Sequence, residues 1–272
     1  MLTDEMAQTF HQQGFVVVPN VVDMATVARL RAAFDELIDG WANDCEVSRA
    51  DYERVVSQWT GLHEQHAEFA GQLHHPTIVA VAKLLLGCAQ VQLFHDHLIS
   101  KPPEHSSTIP WHQDYPFWPV HEPRALSCWL ALDDADADSG AMLFMPGAHL
   151  EGEKPPADFL RLAKQWGERE AQAVPTSVRA GDCVFHSCLS WHTSPPNGSQ
   201  RQRRAFIQIM MDADCRWAPE HSDWHPMNDC VTVAPGERFN EDRFPILGAR
   251  SGDAAALAAD EMADEMAGEV QP

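Results

Sequence analysis

The chain has 272 residues, of which 44% are hydrophobic, and its formal net charge at pH 7 is −21. This acidic composition argues against a nucleic-acid partner, because the phosphate backbone requires a basic surface. No apolar run approaches the roughly 20 residues that cross a bilayer, and the acidic N-terminus is not typical of a secretion signal. We therefore expect a cytoplasmic protein, a monomer or homodimer, whose partner is neither nucleic acid nor a membrane.

The first third of the chain is predicted to be mostly helical. A capped helix is predicted over 3–13, and the β-branched run that follows predicts a short strand over 15–18. Apolar residues at helical spacing predict an amphipathic helix over 23–39, which Gly40 can end. Two shorter helices are expected within 61–87, separated by a His-Pro pair.

Strands are predicted to dominate the next part of the chain. The segments 91–100, 181–186 and 203–211 are rich in apolar and β-branched residues and are bounded by turn residues, which is typical of strands. Residues 155–173 are expected to form a helical insertion, and 214–242, rich in Trp, Pro, His and Asp, to form a loop. These elements indicate a mainly β protein with accessory helices.

A single domain is expected over 1–250, because no repeat or long linker divides it. Residues 251–272 are rich in Ala, Asp, Glu and Met but poor in large apolar side chains. We expect them to form a flexible acidic tail, with a docked helix as the alternative. The seven cysteines include no Cys-x-x-Cys pair, which is typical of reduced thiols.

The tetrapeptide Trp111-His112-Gln113-Asp114 is the strongest indication of chemistry in the chain. On an extended strand, His112 and Asp114 would point to the same face, because they are two positions apart. A second imidazole from a distant strand would complete a set of two histidines and one carboxylate. Such a set holds Fe(II) on one face and leaves three positions open.

An arginine selects between the two downstream histidines, His186 and His192. A dicarboxylate cosubstrate on the metal needs a cation at its far end, and the planar fork of arginine pairs with a carboxylate bidentately. Arg203 lies eleven residues after His192, on the predicted strand that returns past it. The same count from His186 reaches Asn197, which carries no charge. We therefore predict His192 as the distal ligand and Arg203 as the anion-binding residue, with Arg204 on the opposite face of the strand.

Two other histidine triplets are interpreted as structural. His221 and Asp223 form a second His-x-Asp triplet, but the only later histidine is too close to come from another strand, so they are expected to be loop residues. His95, Asp96 and His97 also resemble a metal-binding triplet. We interpret them as polar residues of a strand near the pocket.

With these motifs the chain resembles the phytanoyl-CoA dioxygenase family of Fe(II)/2-oxoglutarate oxygenases. The resemblance covers roughly residues 3–212 and includes further segments in the family's order. These segments are 10–19, 126–134, 139–142, 145–149 and the stretch from His192 through Ser194, Asn197 and Ser199 to Arg203. Ala148 stands where the family usually has serine, and this departure leaves the turn plausible.

The resemblance implies a double-stranded β-helix, which is a cupin-like jelly roll. It implies a catalytic Fe(II) held by His112, Asp114 and His192, with 2-oxoglutarate and O2 as cosubstrates. Arg203, assisted by Ser194, would bind the far carboxylate of 2-oxoglutarate. The reaction implied is hydroxylation of an unactivated C–H bond, with release of succinate and CO2.

The substrate is expected to be a small molecule: an organic acid, an amino acid or a secondary metabolite. Tyr115, Phe117 and Trp118 are predicted to line the mouth of its cavity, because they directly follow the metal motif. Asp114 favours hydroxylation, since related halogenases have a small residue in its place so that chloride can bind the iron. The alternative is a cupin-like metal protein that is not an oxygenase, either an isomerase or a binding barrel, but such a protein has no need of Arg203.

Overall fold

The fold contains six α-helices and eleven strands in the residues that the structure describes. This computed structural model describes residues 3–55, 57–103, 107–157 and 167–248. The helices are α1 (Asp4–Gln13), α2 (Met24–Asp44), α3 (Arg49–Val55), α4 (Leu62–Gln65), α5 (Ala67–Gln72) and α6 (Pro76–Leu86). The strands are β1 (Phe15–Val18), β2 (Gln58–Thr60), β3 (Val91–Lys101), β4 (Ile109–His112), β5 (Ala125–Ala131), β6 (Leu143–Phe144), β7 (Val174–Pro175), β8 (Cys183–Ser187), β9 (His192–Ser194), β10 (Arg203–Asp212) and β11 (Ile246–Leu247).

Two antiparallel sheets organise these strands. The larger sheet has the order β1-β8-β5-β10-β3-β11, with β2 paired to β3, and the smaller has the order β4-β9-β6-β7. Short 3-10 helices occur at Tyr115–Phe117, Ala148–Glu151, Gly167–Gln172 and Pro226–Cys230. The predicted architecture, mainly antiparallel β-structure with accessory helices, is confirmed, and two such sheets form a jelly roll.

The N-terminal helix and strand form as their sequence predicts. The Thr3 side chain accepts a hydrogen bond from the Met6 amide at 3.2 Å, which satisfies one of the unpaired donors at the start of α1. Gly14 ends α1 with a φ of +88°, a backbone conformation that side chains disfavour. A Cβ there would also lie 2.6 Å from Ser190 Oγ, so only glycine fits between α1 and the start of β1.

Two helix boundaries differ from the prediction. Helix α2 does not end at Gly40 but continues to Asp44, because Ile38 and Ala42 extend its buried face past the glycine. Three helices rather than two occupy 62–86. The additional break is at His66, whose backbone is extended and whose side chain caps α5 by accepting from the Glu68 amide at 3.1 Å.

The larger sheet separates two apolar clusters. One fills the space between the sheet and the helices; its members include Leu30 and Phe34 of α2, Ile78 of α6 and Phe206 of β10. The other joins the two sheets and includes Phe94, Trp118, Trp129, Phe144 and Ile207. Alternate residues of β10 therefore face opposite clusters, which places Arg203 on the side of the second cluster and Arg204 on the helical side, paired with Asp133.

Several sequence expectations concern segments that the structure describes only in part. The expected insertion at 155–173 includes the 3-10 helix Gly167–Gln172, whereas 158–166 lie outside the described residues, as do the expected tail 251–272 and residues 249–250. The segment 214–242 is irregular apart from the 3-10 helix Pro226–Cys230 and isolated bridges.

All seven cysteines are free thiols. No helix among the described residues combines the length and apolar composition that a membrane span requires.

Candidate metal centre and cosubstrate cavity

Two histidines and one aspartate come together where β4 pairs with β9. His112, the last residue of β4, lies opposite His192, the first residue of β9, and their ring centroids are 4.1 Å apart. Asp114 follows β4, and its Oδ1 lies 3.5 Å from His112 Nε2 and 3.8 Å from His192 Nε2. One ligand atom from each of the three side chains lies within 4.8 Å of the other two, so the group can share one metal ion.

Backbone carbonyls orient both imidazoles. His112 Nδ1 lies 2.8 Å from the Pro110 carbonyl oxygen, and His192 Nδ1 lies 3.0 Å from that of Ser190. Because a carbonyl oxygen only accepts, each Nδ1 must carry the proton, which leaves the lone pair on Nε2. This arrangement is how metal-binding histidines are usually held.

The two oxygens of Asp114 have different surroundings. Oδ1 faces the two imidazoles, whereas Oδ2 accepts a hydrogen bond from Ser127 Oγ at 2.9 Å and lies 3.3 Å from His186 Nε2. Burial alone would raise the pKa of Asp114, but the imidazoles around it outweigh burial and hold the pKa well below its usual value. The carboxyl is therefore ionised, as a metal ligand must be.

The second imidazole is also in the form that binds a metal. Burial, with a further contribution from His112, lowers the pKa of His192 well below its usual value, although Asp114 acts in the opposite direction. The ring of His192 is therefore neutral at physiological pH. An anionic carboxylate and two imidazoles that turn Nε2 toward it are the donor set that suits Fe(II), so these residues fit the metal that the sequence predicted.

Sequence reasoning considered His186 only as an alternative ligand and did not assign the role that Ser127 and His186 have in holding Asp114 Oδ2. Ser127 and His186 lie directly opposite each other on the paired strands β5 and β8, and both contact Oδ2. The geometry favours His192 as the ligand, because Oδ1 faces it together with His112. Alternation along β5 would have placed Ser127 on the same face as Trp129, but only the pairing of β5 with β8 shows its position beside His186.

The triad lines a cavity of about 650 Å³, which also contains Arg203 and Ser194. Only 1% of Arg203 is exposed, its Nη2 donates to Ser194 Oγ at 3.1 Å, and its guanidinium lies over the Trp129 ring at 5.4 Å. Arg203 Nε has no partner, and no carboxylate lies within ion-pair distance of Arg203 among the described residues. Because a buried unpaired cation is costly, this position fits an anionic ligand such as the far carboxylate of 2-oxoglutarate.

A lysine lies beside Arg203. Lys101 is opposite Arg203 in the register of β3 and β10, and it also lines the cavity. Its Nζ donates to the carbonyl oxygens of Ser194 at 2.8 Å and Pro195 at 2.5 Å. Burial, and then the charge of Arg203, lowers the pKa of Lys101 to about 6, and a neutral amine still has the two hydrogens that these contacts use.

Of the three predicted substrate residues, the structure places two in the cavity wall. Phe117 and Trp118 line the cavity. Tyr115 does not line it in the described part of the chain, because its ring is buried against His221 and its hydroxyl donates to the His121 carbonyl oxygen at 2.8 Å. The side chain that follows Asp114 is therefore turned away from the cavity.

The remaining histidine triplets take different places. His221 lies in a turn, where Nδ1 contacts the Trp118 carbonyl oxygen and Nε2 contacts Glu153. His95 and His97 line the cavity, whereas Asp96 faces the helices. A larger depression of about 1020 Å³ opens on the outer surface around Asp23, Asp133 and Arg201, but the triad does not line it.

Comparison with known proteins agrees with this geometry. The chain is 26% identical to the peroxisomal phytanoyl-CoA dioxygenase of Bos taurus over 245 residues, which cover 80% of this chain and 71% of the relative. It is similar to the structure of the non-heme alpha ketoglutarate dependent carbocyclase SnoK from nogalamycin biosynthesis, with a TM-score of 0.75, 27% identity and coverage of 90% of this chain and 96% of that one. For the epimerase SnoN of the same biosynthesis the TM-score is 0.72 at 25% identity, over 91% and 98% of the two chains.

A family model described as phytanoyl-CoA dioxygenase (PhyH) matches residues 10–205, which is most of the chain. The enzymes of this family depend on Fe(II), 2-oxoglutarate and O2. The chain therefore belongs to the phytanoyl-CoA dioxygenase (PhyH) family of iron- and 2-oxoglutarate-dependent oxygenases.

Proposed function

We propose that this protein is a dioxygenase that hydroxylates an unactivated C–H bond of a small organic metabolite and releases succinate and CO2. The observation that carries the proposal is a complete set of two imidazoles and one ionised carboxylate. The same cavity contains a buried arginine that forms no ion pair with a carboxylate among the described residues. The first group fits Fe(II), and the second fits a dicarboxylate that reaches the metal from the side.

The chain's own residues would bind and orient the reactants. Iron with 2-oxoglutarate and O2 supplies the oxidising power that breaks a C–H bond. His112 and His192 present Nε2 to the ion, while Ser127 and His186 keep Asp114 turned toward it. Arg203 and Ser194 would hold the cosubstrate in one orientation. The apolar walls limit water near the oxidant.

The carboxylate of Asp114 bears on the type of product. A halide can join the iron only if that ligand position is vacant, and here it is filled by a side chain whose other oxygen is anchored twice. This supports hydroxylation over halogenation.

Similarity to enzymes described as a carbocyclase and an epimerase keeps ring closure and epimerisation as the second candidate. The mass of the product separates these three reactions. Hydroxylation adds one oxygen atom to the substrate, ring closure removes two hydrogen atoms, and epimerisation leaves the mass unchanged.

The test compares Asp114→Ala with Asp223→Ala, the aspartate of the second His-x-Asp triplet. We expect Asp114→Ala to weaken the visible absorption band that appears when Fe(II) and 2-oxoglutarate are added without oxygen, because the ion loses one of its three protein ligands. We also expect succinate release in a substrate screen to fall by at least about 100-fold, because even the partners of metal ligands contribute about 10–100-fold. Asp223→Ala should leave both unchanged. Succinate release at the normal rate in Asp114→Ala would contradict the proposal.

A further inference from the structure

Three histidines outside the metal site line the same cavity. His95 and His97 belong to β3, and His225 immediately precedes the 3-10 helix Pro226–Cys230. The ring of His95 lies 5.5 Å from that of His97 and 5.8 Å from that of His225, centroid to centroid. Among the described residues, the His112–Asp114–His192 group is the one cluster with metal-ligand spacing, so these rings are not a second metal site.

These imidazoles lie along the sheet from Arg203 and Lys101. Lys101, His97 and His95 all line the cavity from β3, as alternation requires. Arg203 is opposite Lys101 in the register, whereas His95 is opposite Ile209. The six residue steps along the strand from His95 to Lys101 correspond to about 20 Å. The cavity therefore has a cationic end, which suits the cosubstrate, and an imidazole end.

The rings at the imidazole end are uncharged at neutral pH. Burial lowers the pKa of His97 and that of His225 to about 4, although Asp114 and Asp96 act in the opposite direction on His97. Burial, with the neighbouring His97 and His225, lowers the pKa of His95 well below its usual value. Each neutral ring therefore offers one N–H donor and one acceptor nitrogen rather than a positive charge.

Two of these rings have one nitrogen without a hydrogen-bond partner in the part of the chain that the structure describes. Nδ1 of His95 and Nδ1 of His97 are buried without a hydrogen-bond partner among the described residues. In native proteins the great majority of buried polar side-chain atoms are paired. His225 differs, because its Nδ1 accepts from the Met227 amide at 3.1 Å. Because these Nδ1 atoms are buried, Nε2 is the nitrogen of each ring that can reach a molecule in the cavity, and two imidazoles in the wall therefore favour polar groups on that molecule.

Apolar side chains surround the imidazoles. Phe117 and Trp224 both line this region, with ring centroids 6.1 Å apart and ring planes at 77°. Trp118, Met227 and Ile209 line the same cavity. A wall of this kind favours a flat or alicyclic carbon framework, and a volume of about 650 Å³ is large enough for a drug-sized molecule beside the cosubstrate.

We propose that His95, His97 and His225 bind the hydroxyl or carbonyl oxygens of an uncharged, ring-bearing substrate. The imidazole end thereby selects against anionic substrates such as carboxylates, phosphonates and acyl thioesters of nucleotides. This inference rests on the proposed function, because it names the substrate class of that same cavity. An anion at this end would meet no fixed cation among the described lining residues.

The experiment measures binding of three matched probes to the full chain loaded with Fe(II) and 2-oxoglutarate under anaerobic conditions. The probes are 1-naphthol, which is neutral and oxygenated, 1-naphthoate, which is anionic, and naphthalene, which has no polar group. Calorimetric titration at pH 7.5 should give an affinity for 1-naphthol at least about tenfold higher than for 1-naphthoate, because the carboxylate would be desolvated without a counter-charge.

Substitutions test which histidines bind the hydroxyl group of 1-naphthol. We expect His97→Leu and His95→Leu each to weaken 1-naphthol binding by about threefold to tenfold, the usual range for one neutral hydrogen bond, and to leave naphthalene binding unchanged. His97→Gln should restore part of the loss, since its amide also donates and accepts. The matched control is His121→Leu, an exposed histidine outside the cavity.

The outcomes separate this inference from the proposed function. If the protein without substitutions showed no Fe(II)/2-oxoglutarate absorption band, the proposed function would be overturned. With the band present, the inference would be overturned if 1-naphthoate bound as tightly as 1-naphthol, or if neither 1-naphthol nor naphthalene bound. It would also be overturned if His97→Leu weakened naphthalene as much as 1-naphthol, because the histidine would then act only by shaping the wall.

Discussion

At the scale of single residues, Asp114 shows how one side chain is prepared for a metal. Its two oxygens have different partners. Oδ1 faces the imidazoles of His112 and His192, whereas Oδ2 is held by Ser127 and His186. Two partners on one oxygen fix the side-chain rotamer, so the other oxygen is already oriented when the ion arrives. The sequence pattern indicated Asp114 and offered His186 only as an alternative ligand, but it did not show that Ser127 and His186 hold the second oxygen of Asp114.

Lys101 leads to a prediction about pH. Its pKa is lowered to about 6 by burial and by Arg203, so the amine is largely uncharged at pH 7.5. A bound carboxylate beside Arg203 would raise this pKa again, and 2-oxoglutarate binding would then take up a proton. The affinity for 2-oxoglutarate should be greatest at and below pH 6 and should fall as the pH rises, by at most about tenfold per pH unit for one linked proton.

Calorimetry of 2-oxoglutarate binding in buffers of different ionisation enthalpy would count the proton that is taken up. Lys101→Met should bind more weakly at pH 6 and should lose the pH dependence between pH 6 and 8. Retention of the same slope in Lys101→Met would show that another group titrates.

At the scale of elements, β3 both lines the cavity and anchors a helix. His95, His97 and Lys101 face the cavity, whereas the fully buried Asp96 faces the helices. Asp96 Oδ1 lies 2.6 Å from His63 Nδ1, and Oδ2 accepts from the His63 amide at 2.9 Å. The period-two alternation of a strand thus connects the position of α4 with the shape of the cavity wall.

Helix α2 gives a prediction for stability. Gly40 lies in an exposed position inside α2, and a Cβ added there would meet no atom within 4 Å. Gly40→Ala should therefore raise the free energy of unfolding by about 0.5–1 kcal/mol, because alanine loses less backbone freedom in a helix. The measurement is the midpoint of urea unfolding followed by circular dichroism.

The matched control is Gly181→Ala. Gly181 has a φ of +92°, and a Cβ there would collide with the Val22 carbonyl oxygen, so this variant should be destabilised by more than about 1 kcal/mol. A lower unfolding midpoint for Gly40→Ala would mean that the helix does not continue past position 40 in solution.

At the scale of the whole molecule, the basic side chains of the cavity lie within a strongly acidic chain. The net charge is −21, yet Arg203 and Lys101 are 1% and 2% exposed and face the cavity. Attraction for an anionic cosubstrate is therefore local, because buried charges are screened less than the acidic groups at the surface. Overall charge alone would have suggested the opposite preference.

The extent of the domain remains a prediction at this scale. Residues 251–272 lie outside the described residues, and the sequence places the domain within 1–250. We expect a chain ending at residue 250 to unfold in one transition with the same midpoint as the full chain, and to bind 2-oxoglutarate equally well. Calorimetric unfolding and 2-oxoglutarate titration check this, and a clearly lower midpoint would show that the final residues contribute to the fold.

The sequence by itself determined the features that depend on local spacing and chain order. The His112-x-Asp114 triplet, the interval from His192 to Arg203 and the order of the flanking segments were enough to predict the fold and family, which are confirmed. The structure also brings these four side chains to one cavity. The N-terminal capping threonine was equally visible, because a cap acts within one turn of chain.

Only the tertiary structure decided the features that depend on which strands pair and in what register. The pairing of β5 with β8 brings Ser127 and His186 together behind Asp114, and the pairing of β3 with β10 brings Lys101 beside Arg203. The turning away of Tyr115 likewise follows from packing of the chain around it. Such contacts join residues far apart in sequence, and local periodicity shows which face of a strand a side chain takes but not which distant strand pairs with it.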